Sequence, residues 1–287
     1  MSEQPRPLPS WRFHLVVAVI CSVLFVLGWI WSTVQHITRS NGANVIVILI
    51  VCAVISPVAA YYWEKRQLDR FDAVLTIPWG LVLGMCIISI VEVSGRARFP
   101  LRDLDYGAID TWLGVSVPGI RSWSLDHFAG RFCTACYPLL NWFLLAALLV
   151  PALAGRAVAA KTFLLANGIA FLISAPIFTL WPAIGPWYAF HTSASAAQLA
   201  IQREILGLHA GVASFDVAGV VSFPSFHVIW AILSAACLST FRMLRIPAII
   251  LCALVIFVVD RDRTHTPAEE SLGSHRAPVE PRSLAGD

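Results

Sequence analysis

A histidine stands at the start of an apolar stretch in the last third of the chain. His227 follows the turn residues Pro224 and Ser225 in VVSFPSFHVIWAIL. Proline and serine here predict a helix start, with the serine hydroxyl accepting hydrogen bonds from free backbone N–H groups. A helix N-terminus attracts phosphate, and a histidine there can donate a proton near neutral pH. These residues predict acid catalysis on a phosphate; an ordinary capping or interfacial histidine is the alternative interpretation.

The composition predicts that this helix lies in a membrane. Hydrophobic residues make up 58% of the 287 residues and charged residues 13%, whereas soluble domains carry about 25% charged residues. A bilayer core of about 30 Å requires about 20 apolar helical residues. We therefore predict an all-α polytopic membrane bundle, with about six to seven transmembrane helices plus interfacial helices. The candidate spans are 13–33, 43–62, 73–93, 137–154, 162–181, 226–241 and 244–259.

Two longer loops separate these spans. The semi-polar stretch 96–130 contains turn signals and predicts interfacial helices, and the loop 182–222 predicts a short helix near 194–208. Three acidic residues of the first loop are interpreted as a solvated cluster, with Asp110 in a structural role. These residues are Asp103, Asp105 and Asp110.

The basic residues predict the orientation of the bundle. Short cytoplasmic segments carry an excess of Lys and Arg, and placing the N-terminus in the cytoplasm leaves nine basic residues in compact inside segments. Both long loops and the turn before His227 then face the extracytoplasmic side. The inside residues are Arg6, Arg12, Lys65, Arg66, Arg70, Arg156, Lys161, Arg242 and Arg245.

Three segments resemble one family of membrane enzymes. FPSFH at 223–227 resembles the P-S-x-H motif of the type 2 phosphatidic acid phosphatase superfamily. AIDTWLG at 108–114 and WPAIGPWYAF at 181–190 resemble segments of its inositol phosphorylceramide synthase-like branch, which includes bacterial membrane proteins. The resemblance divides the chain into N-terminal transmembrane helices (1–103), a phosphatase-like core (104–259) and a polar, disordered tail (260–287).

The resemblance implies phosphoryl transfer without a metal or another cofactor. A second histidine would attack phosphorus, while His227 would protonate the leaving group and Ser225, following Pro224, would hold the phosphate. Arg203 and His209 are the nearest basic candidates for the remaining phosphate contacts, because the superfamily's Lys and Arg-Pro motif is absent; an ordinary loop role is the favoured interpretation of each. The implied substrate is a lipid phosphate or lipid diphosphate among membrane lipids, at the outer face of a bacterial plasma membrane. Nothing in the charge pattern indicates nucleic-acid binding.

The tail changes composition abruptly. Residues 260–287 hold 10 of the 37 charged residues and no apolar run, so this segment cannot span a bilayer. His265 and Glu269 have the spacing of a substitute nucleophile pair, but chance spacing in a polar tail is the favoured interpretation, since Pro267 opposes a regular helix between them. On that interpretation the second histidine motif is missing and the chain is inactive. We expect that this tail replaces the ending typical of the family, through a frameshift, a truncation or a gene-model error.

Two other functions stay open at this stage. A transporter or channel-like bundle would place several ionisable residues within its spans, where the sequence shows little besides Glu92, Asn141 and Asn167. A non-catalytic scaffold or lipid-binding relative would explain a missing second histidine motif, and would leave His227 without a chemical role.

Overall fold

The computed structural model describes residues 10–34, 42–128, 132, 136, 138–194, 196–210 and 225–259. Across these residues the chain forms eleven helices and no strand, which confirms the predicted all-α class. The helices are α1 (Ser10–Val34), α2 (Gly42–Glu64), α3 (Leu68–Gly95), α4 (Asp103–Trp112), α5 (Val117–Asp126), α6 (Leu139–Leu153), α7 (Ala157–Leu180), α8 (Pro186–Ala189), α9 (Ala196–Ala210), α10 (Phe226–Leu238) and α11 (Arg245–Val259).

Three of these helices are long and apolar enough to cross a bilayer. They are α3, α7 and the segment Trp11–Val34 of α1. Apolar but shorter helices occupy the other four predicted positions, namely Ile48–Glu64, Leu139–Leu153, Phe226–Leu238 and Arg245–Ile256. The helix α9 confirms the short helix predicted in the second long loop, and α4 and α5 confirm those predicted in the first.

The long helices pack around α3 and α7. The helix α3 contacts α1, α2, α6 and α7, while α10 contacts α6, α7 and α11. One apolar core lies between α1, α3 and α7 and contains the fully buried Phe13 and Phe171. A second core lies between α6, α7, α10 and α11 and contains Leu140 and Val255. The helix α7 therefore contributes to both cores, packing against the N-terminal helices in the first and the C-terminal helices in the second.

The helices α7 and α10 run antiparallel. The guanidinium of Arg156, directly before α7, donates to the carbonyl of Thr240, just after α10, over 2.7 Å. At the other end of the pair, the ring of Phe226 lies 6.1 Å from the ring of Phe178. The start of α10 therefore lies beside the end of α7.

The starts of α1, α3 and α7 meet at the opposite end of the bundle. Lys161 in α7 donates to the carboxylate of Asp72 in α3 over 2.6 Å, and its ammonium lies 5.4 Å from the ring centroid of Phe13 in α1. We call this the Lys161 end, and we call the end that holds the start of α10 the His227 end.

Candidate functional site

The helix α10 begins one residue before His227. Ser225 occupies the N-cap position with extended torsions (φ −71°, ψ 111°), and its carbonyl accepts a hydrogen bond from the N–H of Ile229 over 3.2 Å. The predicted helix start is confirmed. The predicted hydroxyl cap is wrong, because the Ser225 side chain makes no capping bond to the first turn. The hydroxyl thus remains available to an anion at this helix end.

Phenylalanine rings fix the position of the helix start. Phe226 is buried against Phe171 and Phe178 of α7, with ring centroids 5.3 Å and 6.1 Å away. His227, the next residue, is half-buried, and its ring meets the edge of Trp230 at 6.2 Å. An apolar anchor thus places a partly exposed imidazole at the rim of the bundle.

The helix α4 is bound to the turn that follows α7. One carboxylate oxygen of Asp103 accepts hydrogen bonds from the backbone N–H groups of Ile184 and Gly185, each over 2.8 Å. The N–H of Arg102 donates to the carbonyl of Pro182 over 2.8 Å. The helix α4, which carries part of the segment 108–114, is therefore joined to the segment 181–190 at the His227 end.

The solvated interpretation of the acidic cluster is wrong for Asp103. Its side chain is 3% exposed because the turn at 184–185 covers it. This burial raises the pKa of Asp103, while the two backbone hydrogen bonds partly oppose the shift. Asp105 does face solvent and pairs with Arg102 over 3.1 Å. Desolvation also raises the pKa of Tyr106, whose hydroxyl lies 3.2 Å from the carbonyl of Trp181.

One glycine in each of the segments 108–114 and 181–190 adopts a positive φ angle. Gly114 ends α4 with φ +74°, and the bonds from its N–H to Thr111 and from the next N–H to Asp110 form a Schellman motif. Gly185 adopts φ +148°, and a Cβ there would clash with the ring of Trp187. The turn at Gly185 therefore requires glycine, and the positive φ of Gly114 favours it.

The helix α9 packs onto the same turn. Ile205 of α9 is buried with Ile184 and Trp187 in a small apolar cluster. Arg203 is exposed, so its guanidinium can contact a phosphate group that approaches from solvent. His209 is half-buried, with Nδ1 3.0 Å from the carbonyl of Ile205. The structure thus brings the helix that carries both basic candidates to the His227 end, attached through residues 184–188.

Buried polar atoms without a hydrogen-bond partner accumulate around this turn. Among the described residues they include the second carboxylate oxygen of Asp103, the indole nitrogen of Trp187 and Nε2 of His209. An unpaired buried polar group costs about 1–3 kcal/mol, and such groups are candidate contacts for water or a ligand. Asp103 and Trp187 were not among the predicted site residues, because the contact between the Asp103 carboxylate and the backbone N–H groups of Ile184 and Gly185 is visible only in three dimensions.

The charged cluster at the Lys161 end was also missed. The sequence placed Asp72 and Lys161 just outside the predicted spans, whereas α3 and α7 begin earlier and enclose both residues. The nearest nitrogen of His14 lies 3.9 Å from Asp72, and the indole N–H of Trp79 donates to Nδ1 of His14 over 3.1 Å. An indole only donates, so this bond makes Nδ1 the acceptor and leaves Nε2 to face the carboxylate.

Three predicted site residues lie outside the described residues. They are Pro224, His265 and Glu269. The site that can be described therefore consists of Ser225 and His227, with α4, α8 and α9 at the same end of the bundle.

Together these features define an all-α membrane helix bundle with a histidine at a helix start on one rim. The PAP2 superfamily model matches residues 107–265 of the chain. The match covers more than half of the 287 residues and all three segments described above, and the chain belongs to the PAP2 superfamily. No curated protein and no solved structure matches it. Membership supports a phosphatase-type function on lipid phosphates in general.

Proposed function

We propose that this protein is an integral membrane phosphatase or phosphotransferase acting on a lipid phosphate or lipid diphosphate. The reaction takes place at the His227 end, which the proposed orientation exposes to the extracytoplasmic side of a bacterial plasma membrane, with the N-terminus in the cytoplasm. Within the superfamily, the segments 108–114 and 181–190 favour the inositol phosphorylceramide synthase-like branch.

The observation that carries this proposal is the position of His227 in the first turn of α10. The N–H groups of a first helical turn lack intrahelical acceptors, and together with the Ser225 hydroxyl they form an anion site; Pro224 is the preceding residue of the P-S-x-H motif. A protonated His227 donates its N–H proton to the leaving oxygen as the P–O bond breaks, and the ring is left neutral. Arg203 and His209 supply further contacts to the phosphate oxygens.

The remaining step requires a nucleophile. The resemblance implies a second histidine whose nitrogen forms a P–N bond before water or an alcohol releases the phosphoryl group. His265, four residues before Glu269, is the proposed candidate. Trapping of a phosphohistidine on His265, and its loss in His265→Ala, would support this role; activity that persists unchanged in His265→Ala would exclude it.

Phosphate release from phosphatidic acid and from a prenyl diphosphate tests the proposal. The purified full chain in bilayer discs is compared with His227→Ala and with His191→Asn. His191 is an exposed histidine with φ +50° in the turn after α8, and asparagine tolerates that backbone conformation. We expect loss of about a hundredfold to ten-thousandfold in His227→Ala and normal release in His191→Asn. Equal activity of His227→Ala and the wild type would refute the role of His227.

A further inference from the structure

A cavity of about 800 Å³ lies at the Lys161 end, between α7 and α10. Its apolar wall includes Val158 and Phe163 of α7 and Leu233 and Ala236 of α10. Pockets of about 300–1,000 Å³ with mostly apolar walls and few polar groups are typical of small-molecule sites. The α10 part of the cavity lies on the order of 15 Å from His227 along the helix. The cavity is therefore separate from the proposed active site.

The residues that line the mouth of the cavity include a cation and an anion, and the side chain of a second cation, Arg70, lies next to the lining residue Gly155. Arg156 stands immediately before α7 and Asp69 in the first turn of α3, and both line the cavity and are exposed. Thr240 takes one of the several N–H donors of the Arg156 guanidinium, which also lies 4.3 Å from the ring centroid of Phe241. These two contacts hold the guanidinium at the mouth and leave donors for another acceptor.

We propose that this cavity binds a membrane phospholipid with a zwitterionic headgroup of the phosphatidylethanolamine type. An acyl chain lies between α7 and α10, the phosphate contacts Arg156, and the ammonium group faces Asp69. This assignment does not depend on the proposed phosphatase function.

The position of the cavity argues for a lipid. The helix α7 is long and apolar enough to cross a membrane, so the apolar wall along its first turns borders the bilayer, where acyl chains are the available apolar ligands. Headgroups lie at the level of the helix ends, which is where Arg156 and Asp69 stand. Arginine recognises phosphate through charge-assisted hydrogen bonds.

The charge at the mouth argues for a zwitterion. A headgroup with phosphate alone would bring a negative charge next to Asp69, and like charges at short range repel. A headgroup with both a phosphate and an ammonium group offers an opposite charge to each side chain. The choice of lipid follows from this pairing.

Photo-crosslinking of the full chain in bilayer discs tests the assignment. The probe is phosphatidylethanolamine with a diazirine on one acyl chain, and the labelled peptides are mapped by mass spectrometry. We expect preferential labelling of residues 157–166 and 233–240. Arg156→Gln is expected to lower this labelling about tenfold, because it removes a charge-assisted hydrogen bond. Arg242→Gln is the control, since Arg242 is exposed close to the same end without lining the cavity.

A second pair of variants tests the apolar wall. Ala236→Phe fills the cavity and should abolish the preferential labelling, while Ile173→Phe, at an exposed position farther along α7, should leave it unchanged. Ala166→Phe fills the same cavity from α7 and replaces Ala236→Phe if that variant fails to fold. Even labelling of all lipid-facing helices, or labelling unaffected by these filling variants, would overturn the lipid site.

Competition experiments distinguish a lipid headgroup from free inorganic phosphate as the source of the bound phosphate group. Excess inorganic phosphate should leave the labelling unchanged, and a phosphatidylglycerol probe with the same diazirine chain should label the two segments less than the phosphatidylethanolamine probe. Displacement by inorganic phosphate, or equal labelling by the two lipids, would overturn the assignment to a zwitterionic phospholipid.

Discussion

The two ends of the bundle differ in whether their buried polar groups are paired. At the Lys161 end, the ammonium of Lys161 and the carboxylate of Asp72 are both buried and lie 2.6 Å apart, so each charge neutralises the other. At the His227 end, buried atoms of Asp103, Trp187 and His209 have no hydrogen-bond partner among the described residues. Charges that compensate each other are typical of structural interactions, whereas buried polar groups without a partner are candidate contacts for a ligand.

The ion pair also joins two parts of the sequence. Lys161 lies within the region 107–265 that matches the PAP2 superfamily, and Asp72 and His14 lie before it. Removing two charges from water is expensive, and a buried pair is stable only when the geometry is favourable. The pair therefore specifies how α1 and α3 pack against the superfamily region, rather than adding a large net stabilisation.

Breaking that pair has the largest predicted effect on stability. Lys161→Met leaves the Asp72 carboxylate buried without its cation, and we expect the free energy of unfolding to fall by about 3–5 kcal/mol. Equilibrium unfolding in mixed micelles measures the change. Lys65→Met is the matched control, because Lys65 is exposed at the same end and should change stability by less than about 0.5 kcal/mol.

A double variant sharpens the same prediction. Replacing both partners, in Lys161→Met with Asp72→Leu, removes both charges and should recover most of the lost stability. If the double variant were as unstable as Lys161→Met alone, burial of an unpaired charge would not be the cause of the loss.

The next largest effect is expected at Asp103. Asp103→Ala removes the acceptor for the N–H groups of Ile184 and Gly185 and should cost about 1–3 kcal/mol. Asp103→Asn keeps a side-chain oxygen there and should retain most of that stability. An equal loss in both variants would show that hydrogen bonding to this turn is not what Asp103 contributes.

The pH dependence of the Asp103 contribution follows from its raised pKa. A carboxyl group that binds its proton more tightly in the folded state contributes stability below its unfolded pKa, and this contribution is lost as the pH rises through the folded pKa. The stability of the wild type relative to Asp103→Asn should therefore decrease with rising pH across that interval. The opposite slope would contradict the raised pKa.

The smallest effect is predicted at Arg203. If this exposed side chain contacts the phosphate, Arg203→Gln should raise KM about threefold with little change in kcat, since exposed ion contacts contribute about 0.2–1 kcal/mol. Arg102→Gln is the control at the same end, because Arg102 pairs with Asp105 instead. Identical kinetics of Arg203→Gln and Arg102→Gln would exclude a specific contact from Arg203.

Helix positions could largely be predicted from the sequence. Apolar runs predicted the long helices, and turn residues predicted that α10 begins after Pro224 and Ser225. Helix ends were less predictable, because α3 starts at Leu68 instead of residue 73. The earlier start places Asp72 inside the bundle. Its carboxylate is buried there because Lys161 of α7 supplies the ionic partner.

The candidate site could be predicted only in part. The local pattern around His227 was sufficient to indicate a helix start with a histidine, since proline, serine and histidine act within one turn. The contacts of Asp103 could not be predicted, because its partners at 184–185 lie some eighty residues later in the chain. Whether the Ser225 hydroxyl caps α10 depends on side-chain torsions that residue type does not determine.

We propose a division of roles within the bundle, with chemistry at the His227 end and structural support at the Lys161 end. Measuring phosphate release and unfolding free energy together for His227→Asn and Lys161→Met tests it most directly, with activity assayed at a temperature where both variants stay folded. We predict that His227→Asn loses activity by about a hundredfold or more with unchanged stability, and that Lys161→Met loses stability while the folded protein keeps its activity. The opposite pattern, with an active His227→Asn and an inactive, stable Lys161→Met, would contradict the account.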